Sequence, residues 1–546
     1  MKNRFTKFAS LSLTGALVLT SFCSCAENSD VSYSSSNNGQ SYSYSQENEA
    51  KEDNNSSSYS ENYSDESSKP IDTSPNEEYA TVVGAGFKDP NNESLSTFSA
   101  DVDTASYSNV RRLIEDSQTI PDGAVRIEEF INYFDYNYSK PENGDVFGKN
   151  VEIADCPWNS RTKLMMVGVQ GESIEQEEAP SSNLVFLIDS SGSMASYDKL
   201  PLVQSAFSML AENLTEYDRI SIVTYANSSK TVIAGANGNQ KDNILEALYS
   251  ISAEGGTYGE GGIETAYALA EENFIEGGNN RVILATDGDL NIGASTGDEL
   301  VSLIESKRDN GIYLSVLGFG TDNIKDDRLE AIADNGNGNY SYIDSVDEAR
   351  RVLVQEMSGT LYTIAKDVKI QVEFNPSQVK SYRLIGYDNR LMDAHDFVDT
   401  SKDAGEVGAG HSVTALYEIE LADTSASYDG ISLEFASEHK NDNSKNETSS
   451  VRTELCKMSV AYKDINTNQD IYLSDLYGME KYSDTPTDSI KLAGAVAEFG
   501  MLLKKSEFKE NSSYEQVIEC LESINSENEK VSELYNLVKT ASTLYE

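Results

Sequence analysis

Asp189, Ser191 and Ser193 stand at alternate positions directly after an apolar run, residues 184–188. A carboxylate and two hydroxyls so spaced can hold one hard metal ion, because Mg²⁺ takes oxygen ligands in near-octahedral geometry and keeps some waters. An apolar strand running into such a loop places the oxygens at the carboxyl edge of a sheet, where open α/β folds bind their ligands. Few protein charges then surround the ion, and a coordination position is left for a carboxylate from elsewhere.

Two further groups join them in the chain. Thr257 follows Gly255 and Gly256 in a flexible loop ahead of an expected helix at 263–274, and Asp287 ends an expected strand with core 282–285, at the same sheet edge. The order Asp189, Ser191, Ser193, Thr257, Asp287 resembles the metal-ion-dependent adhesion site of von Willebrand factor type A domains. The resemblance implies that the two serines and either Thr257 or Asp287 touch the metal directly, the remaining groups acting through water. It implies Mg²⁺ as the ion, with Mn²⁺ or Ca²⁺ as alternatives, and a protein ligand that supplies an Asp or Glu carboxylate. It also implies that the loops can switch affinity through a shift of the last helix of the domain, expected at 347–363.

Other motifs fail on inspection. Asp287, Asp289 and Asn291 open like an EF-hand loop, but Ile292 stands where glycine is needed and Asp298 where a bidentate Glu sits. The glycine-rich stretch 255–262 lacks the lysine of a phosphate loop and carries Glu260, so nucleotide is not expected. His395, His411 and His439 all lie outside the expected A domain, and no His-Glu-x-x-His motif occurs. No catalytic residue is therefore assigned, and a binding module is expected. The competing readings are a metal-assisted hydrolase with an acidic base, and a surface protein whose metal only stabilises loops.

The elements that must position these groups follow from periodicity. Strand cores at 185–188, 220–225, 282–285 and 313–319 alternate with amphipathic segments, such as Leu200, Val203, Phe207 and Leu210 at helical spacing. This predicts an α/β domain over 181–365: a doubly wound, Rossmann-like fold with a central, mostly parallel sheet between helices. From 366 to 546 strict alternation at 368–374, 416–421, 431–435 and 458–462 predicts a β-sandwich, followed by helices with stripes at Leu492, Val496, Phe499 and at Leu534, Leu537, Val538.

Ahead of the A domain, residues 94–180 are expected to form an α+β element packed on it. It comprises a strand at 97–102, a helix at 105–114 capped by Asp103 and Thr104, a helix at 127–134, and strands at 151–153 and 164–169. The runs 99–107, 126–134, 382–390 and 403–411 resemble those flanking the A domain in a group of bacterial A-domain lipoproteins.

Lys2, Arg4 and Lys7 precede an apolar stretch, 8–22, and then Ser24, Cys25 and Ala26. That pattern is a secretory signal over 1–25, with Cys25 in a lipobox-like position as the expected lipidation site. The apolar run is short for a membrane span. Residues 26–93 are dominated up to about residue 76 by Ser, Asn, Tyr and acids with few aliphatics, which predicts a disordered tether. The chain is thus expected outside the cytoplasm, on the outer face of the cell membrane or envelope, meeting the membrane through a lipid anchor only. Its 42 Lys and Arg against 91 Asp and Glu, a net charge of −49 over 546 residues, argue against nucleic acid as a partner. Cys156, Cys456 and Cys520 follow the signal; they contain no Cys-x-x-Cys pair and allow one disulfide at most.

Overall fold

The computed structural model describes residues 77–80, 84–101, 103–121, 123–142, 144–174, 179–257, 259–288, 297–321, 324–422, 453–465, 467–524 and 528–545. Cys25 and its signal, the tether as far as residue 76, Asp289, Asn291, His439 and the expected strand 431–435 lie outside the described residues.

In chain order the elements are β1 (Leu95–Ser99), α1 (Ala105–Glu115), α2 (Ile127–Asn132), β2 (Phe147–Asp155) and β3 (Lys163–Gly171). Then follow β4 (Ser182–Asp189), α3 (Leu200–Asn213), β5 (Arg219–Tyr225), β6 (Ser229–Asn237), α4 (Lys241–Tyr249), α5 (Glu260–Glu272), β7 (Asn279–Thr286), α6 (Gly297–Asp309), β8 (Ile312–Phe319), α7 (Asp326–Asn335), β9 (Tyr340–Ile343), α8 (Val346–Arg350), a π-helical turn (Arg351–Gln355) and α9 (Met357–Leu361). The remainder is β10 (Thr363–Phe374), β11 (Val379–Ile385), β12 (Leu391–Met392), β13 (Val407–Gly408), β14 (Ser412–Leu421), β15 (Glu454–Asp464), β16 (Asp470–Gly478), α10 (Asp488–Leu503), α11 (Tyr514–Glu522) and α12 (Glu529–Tyr545).

The middle block is a doubly wound α/β domain with strand order β6-β5-β4-β7-β8-β9, parallel except for the β5–β6 edge. β4 is buried along its whole length because helices cover both faces. Leu184, Phe186 and Ile188 pack with Val203, Phe207 and Leu210 of α3, while Val185 and Leu187 pack with Ile263 and Tyr267 of α5. Period-2 alternation is therefore invisible in this strand, and its signature is a continuous apolar run.

A β-sandwich encloses the insertion points of that domain. One sheet runs β12-β1-β10-β15-β16, with β13 also on β10; the other runs β11-β14-β3-β2. Phe98, Ile370, Phe374 and Val460 of the first sheet face Met165, Tyr382 and Tyr417 of the second, and the Phe374 and Tyr382 rings stack 4.1 Å apart. The alternate residues Leu164, Met166, Ile385 and Leu416 face outward onto α2 and α10, so the second sheet is covered on both sides.

Two expectations change. The strands of residues 94–180 do not form a separate element: β1 and β3 pair with strands that follow the A domain, for instance Phe98 with Ile370 and Val167 with Ala415, and β2 pairs with β3, so the A domain is an insertion in the sandwich. Asp103 and Thr104 are not side-chain caps of α1. Asp103 accepts the Tyr340 backbone N–H at 2.8 Å and Thr104 Oγ1 accepts from Arg351 at 2.9 Å, so both fasten α1 to the A domain. Buried acceptors that close a long-range contact are more valuable to the fold than one more helix-end hydrogen bond.

Candidate metal centre

The five residues singled out by spacing fall at the carboxyl edge of the central sheet. Asp189 ends β4 and Asp287 immediately follows β7, the strand hydrogen-bonded to β4; both are buried. Between β4 and α3 the chain makes a short 3₁₀ turn, Gly192–Ala195, which carries buried Ser191 at its entry and solvent-facing Ser193 within it.

The hydroxyls of Ser191 and Ser193 are 3.0 Å apart. Each carboxylate is held by one oxygen: Asp189 Oδ1 accepts the Ser191 N–H at 2.8 Å, and Asp287 Oδ2 accepts from the Lys199 ammonium at 2.9 Å. The other oxygens, Asp189 Oδ2 and Asp287 Oδ1, are buried with no hydrogen-bond partner among the described residues. Burial pushes the Asp189 carboxyl up to about 6, despite the Ser191 contacts and with help from the Asp287 charge. Tyr225, which ends β5 and is fully buried, is close enough to both aspartates for their charge to raise its phenol further above burial's own effect.

Thr257 is half-buried on the loop between α4 and α5. That loop is tied to the serine loop by Gly192 N–H donating to Gly255 O at 3.0 Å and Glu254 N–H donating to Ser190 O at 2.8 Å. Gly255 has φ +85°, and a Cβ there would also strike the Asn227 amide at 2.4 Å, so glycine is required on two grounds.

This donor set fits a small oxygen-loving cation. A buried carboxylate oxygen without a donor is costly, and two of them beside two hydroxyls are the ligand type that Mg²⁺ selects. Among the described residues no group of three or more His, Cys, Asp or Glu side chains could hold a metal, so hydroxyls would have to supply part of the shell. Such an ion would be bound by Asp189, Ser191, Ser193, Thr257 and Asp287, and would supply a positive centre for an incoming carboxylate. Spacing brought all five residues to one edge of the domain. It missed Lys199, which lies six residues beyond Ser193, and Tyr225, whose position at the end of an expected strand was a usable signal.

The model for the von Willebrand factor type A domain matches residues 183–356, one described as von Willebrand factor matches 73–166, and one for the C-terminal region of the uncharacterized protein YfbK matches 359–544. The uncharacterized protein YfbK of Escherichia coli (strain K12) is 39% identical over 433 residues, covering 78% of this chain and 73% of its own length. The uncharacterized protein sll0103 of Synechocystis is 32% identical over 220 residues, covering 39% of this chain and 50% of its own. A solved von Willebrand factor type A protein from Catenulispora acidiphila aligns with a TM-score of 0.41 at 13% identity, over 74% of this chain and 91% of that one.

Proposed function

The chain belongs to the von Willebrand factor type A proteins of the YfbK kind, and on that premise we propose that it is an extracytoplasmic, membrane-anchored module that binds a protein ligand through a divalent cation. The observation that carries this reading is the pair of buried, donor-free oxygens, Asp189 Oδ2 and Asp287 Oδ1, at the sheet edge that also presents Ser193 to solvent. Neutral hydroxyl ligands leave a divalent ion electrophilic, so an Asp or Glu of the partner completes its shell with a charge-assisted contact. Mg²⁺ is the ion of choice, with Mn²⁺ and Ca²⁺ as competitors. Binding, not catalysis, is the proposed activity.

The charged and apolar leader with Cys25 supports anchoring by a lipid to the outer face of the membrane or envelope. Among the described residues no helix is long and apolar enough to cross a membrane. Capture of surface proteins from the parent organism, with and without EDTA and with Asp189→Ala as control, tests the proposal. Capture that depends on metal and on Asp189 supports it; capture indifferent to both overturns it.

The Lys199–Asp287 ion pair favours a second reading, in which one carboxylate is already neutralised and a metal serves mainly to order the loops. Thr257→Ala separates the two, since retained partner capture by that variant supports the structural role.

A further inference from the structure

At the opposite end of β7 from Asp287, six residues or roughly 20 Å along the strand, Arg281 lines a cavity of about 280 Å³ between the A domain and the sandwich. The walls include the turn after α7 with Asn337 and Asn339, the end of β1 with Asp101, the 389–392 segment with Arg390, and the 403–408 segment with Glu406. Two arginines line this cavity, and they are treated differently. Arg390 is fully engaged, with Asp101 at 2.8 Å, Asp103 at 3.1 Å, Glu330 at 2.8 Å and Asp334 at 3.0 Å.

Arg281 is 2% exposed and forms no ion pair among the described residues. One nitrogen donates to Ser315 Oγ at 2.6 Å, its Cζ lies 5.4 Å from the centre of the Tyr313 ring, and its Nε is buried without an acceptor. Burial pushes the guanidinium down to about 10, only partly offset by Tyr313 and Glu406. Glu406 is the mirror case. Its carboxylate accepts from the Asn337 amide and forms no ion pair among the described residues, and burial with the charges of Asp101, Asp403 and Asp367 raises it well above the usual carboxylate range against the opposing charge of Lys366.

A buried guanidinium without an anion and a carboxylate without a cation, in one cavity and not paired with each other, are each expensive to maintain. Direct pairing would remove both costs, and the fold keeps them apart. A guanidinium matches a carboxylate in geometry as well as charge, and a carboxylate matches an ammonium group. The volume is just below the roughly 300–1,000 Å³ of small-molecule sites, which limits the ligand to a few heavy atoms beyond its charged groups. We propose that this cavity is a binding site for a small zwitterionic ligand of the α-amino-acid class, its carboxylate on Arg281 and its ammonium on Glu406. The site is independent of the metal centre.

Isothermal titration calorimetry of the purified full chain tests it, with glycine, L-alanine and L-glutamate as probes and acetate and methylammonium as half-ligands. At least one amino acid is expected to bind, with both half-ligands weaker by about tenfold or more, because each engages only one of the two charged groups. Arg281→Gln and Glu406→Gln are each expected to weaken the amino acid by a similar factor. Glu406 is half-buried on a connecting segment, so its variant keeps the test alive if Arg281→Gln does not fold. Absence of heat with every amino acid, equal binding of acetate alone, or undiminished binding in Glu406→Gln overturns the proposal and leaves a water-solvated structural arginine.

Discussion

The Lys199 ammonium lies 2.9 Å from Asp287 Oδ2, with the aspartate side chain fully buried and the lysine 10% exposed. Lys199 reaches it from the turn before α3 across Gly320, whose φ of +76° and missing Cβ make the passage: a Cβ there would come within 2.3 Å of Lys199 Cε. The proposed metal centre therefore already contains one fixed cation, which engages Asp287 Oδ2 and leaves Oδ1 without a donor among the described residues. Lys199→Met is expected to lower the melting temperature in EDTA, since breaking a buried pair costs about 3–5 kcal/mol. Removing the positive charge is also expected to tighten Mg²⁺ binding, so that added Mg²⁺ raises the melting temperature more in the variant than in the parent. Thermal unfolding with and without Mg²⁺ measures both effects; an unchanged Mg²⁺ response excludes Lys199 as a competitor.

Asp189→Ala removes the donor-free oxygen from the end of β4 and, with it, the carboxylate that the Ser191 N–H orients. Mg²⁺ affinity, read by calorimetry, is expected to fall at least about tenfold, whereas Ser193→Ala, which removes one neutral ligand from an exposed position, is expected to cost less. Equal losses for the two substitutions would place the charge and the hydroxyl on the same footing and contradict the proposed ligand set.

The last helix of the A domain is restrained by charge. Arg351 donates to Glu348 at 2.5 Å and Arg111 of α1 donates to Glu348 at 3.0 Å, to Asp344 at 2.7 Å and to Glu533 of α12 at 3.0 Å. Burial opposes ionisation of Glu348, but Arg351 and Arg111 hold it down at about 2. Its folded value lies below its unfolded one, so the contribution to stability is present above pH 4.5 and is lost as pH falls toward 2. Glu348→Gln is expected to destabilise the chain by about 3–5 kcal/mol at pH 7 and to flatten the acid limb of its stability profile, measured by urea denaturation at stepped pH. A helix shift of the kind the family resemblance implies would have to break this network, which joins α1, α8 and α12.

The A-domain core was legible in the sequence because burial on both faces gives β4, β7 and β8 largely apolar cores, Leu184 to Ile188, Val282 to Ala285 and Ile312 to Phe319. β6 was not, since an antiparallel edge strand carrying Ser229, Lys230 and Thr231 is largely solvent-facing and has no such run. β9 has four residues, too few for a period to register, and α11 lies in a stretch that composition left unassigned. Of the sandwich strands β1, β2, β3, β10, β14 and β15 were readable one by one and β11 and β16 were not, and the partners were not readable: β1 and β10 pair across the whole inserted domain, and alternation says which face is buried without saying against what. The same division holds at the site. Asp189, Ser191, Ser193, Thr257 and Asp287 are recognisable by type and spacing, whereas Lys199 acquires its role only through the backbone conformation at Gly320, more than a hundred residues away.

Glu498 of α10 is 1% exposed in the helical layer, with Oε1 lacking a partner, and burial lifts its carboxyl to about 7 even though Ser512 and Ser513 act to lower it. Its folded value lies above the unfolded 4.5, so the protonated form is favoured on folding. The associated stability is complete below pH 4.5 and disappears as pH rises through about 7, a swing of up to about 3 kcal/mol. Glu498→Gln, which keeps the neutral shape at every pH, is expected to match the parent near pH 5 and to exceed it at pH 8. Melting temperatures at those two pH values decide the matter, because a Glu498 that stayed ionised by recruiting water would give the variant no advantage at the higher pH.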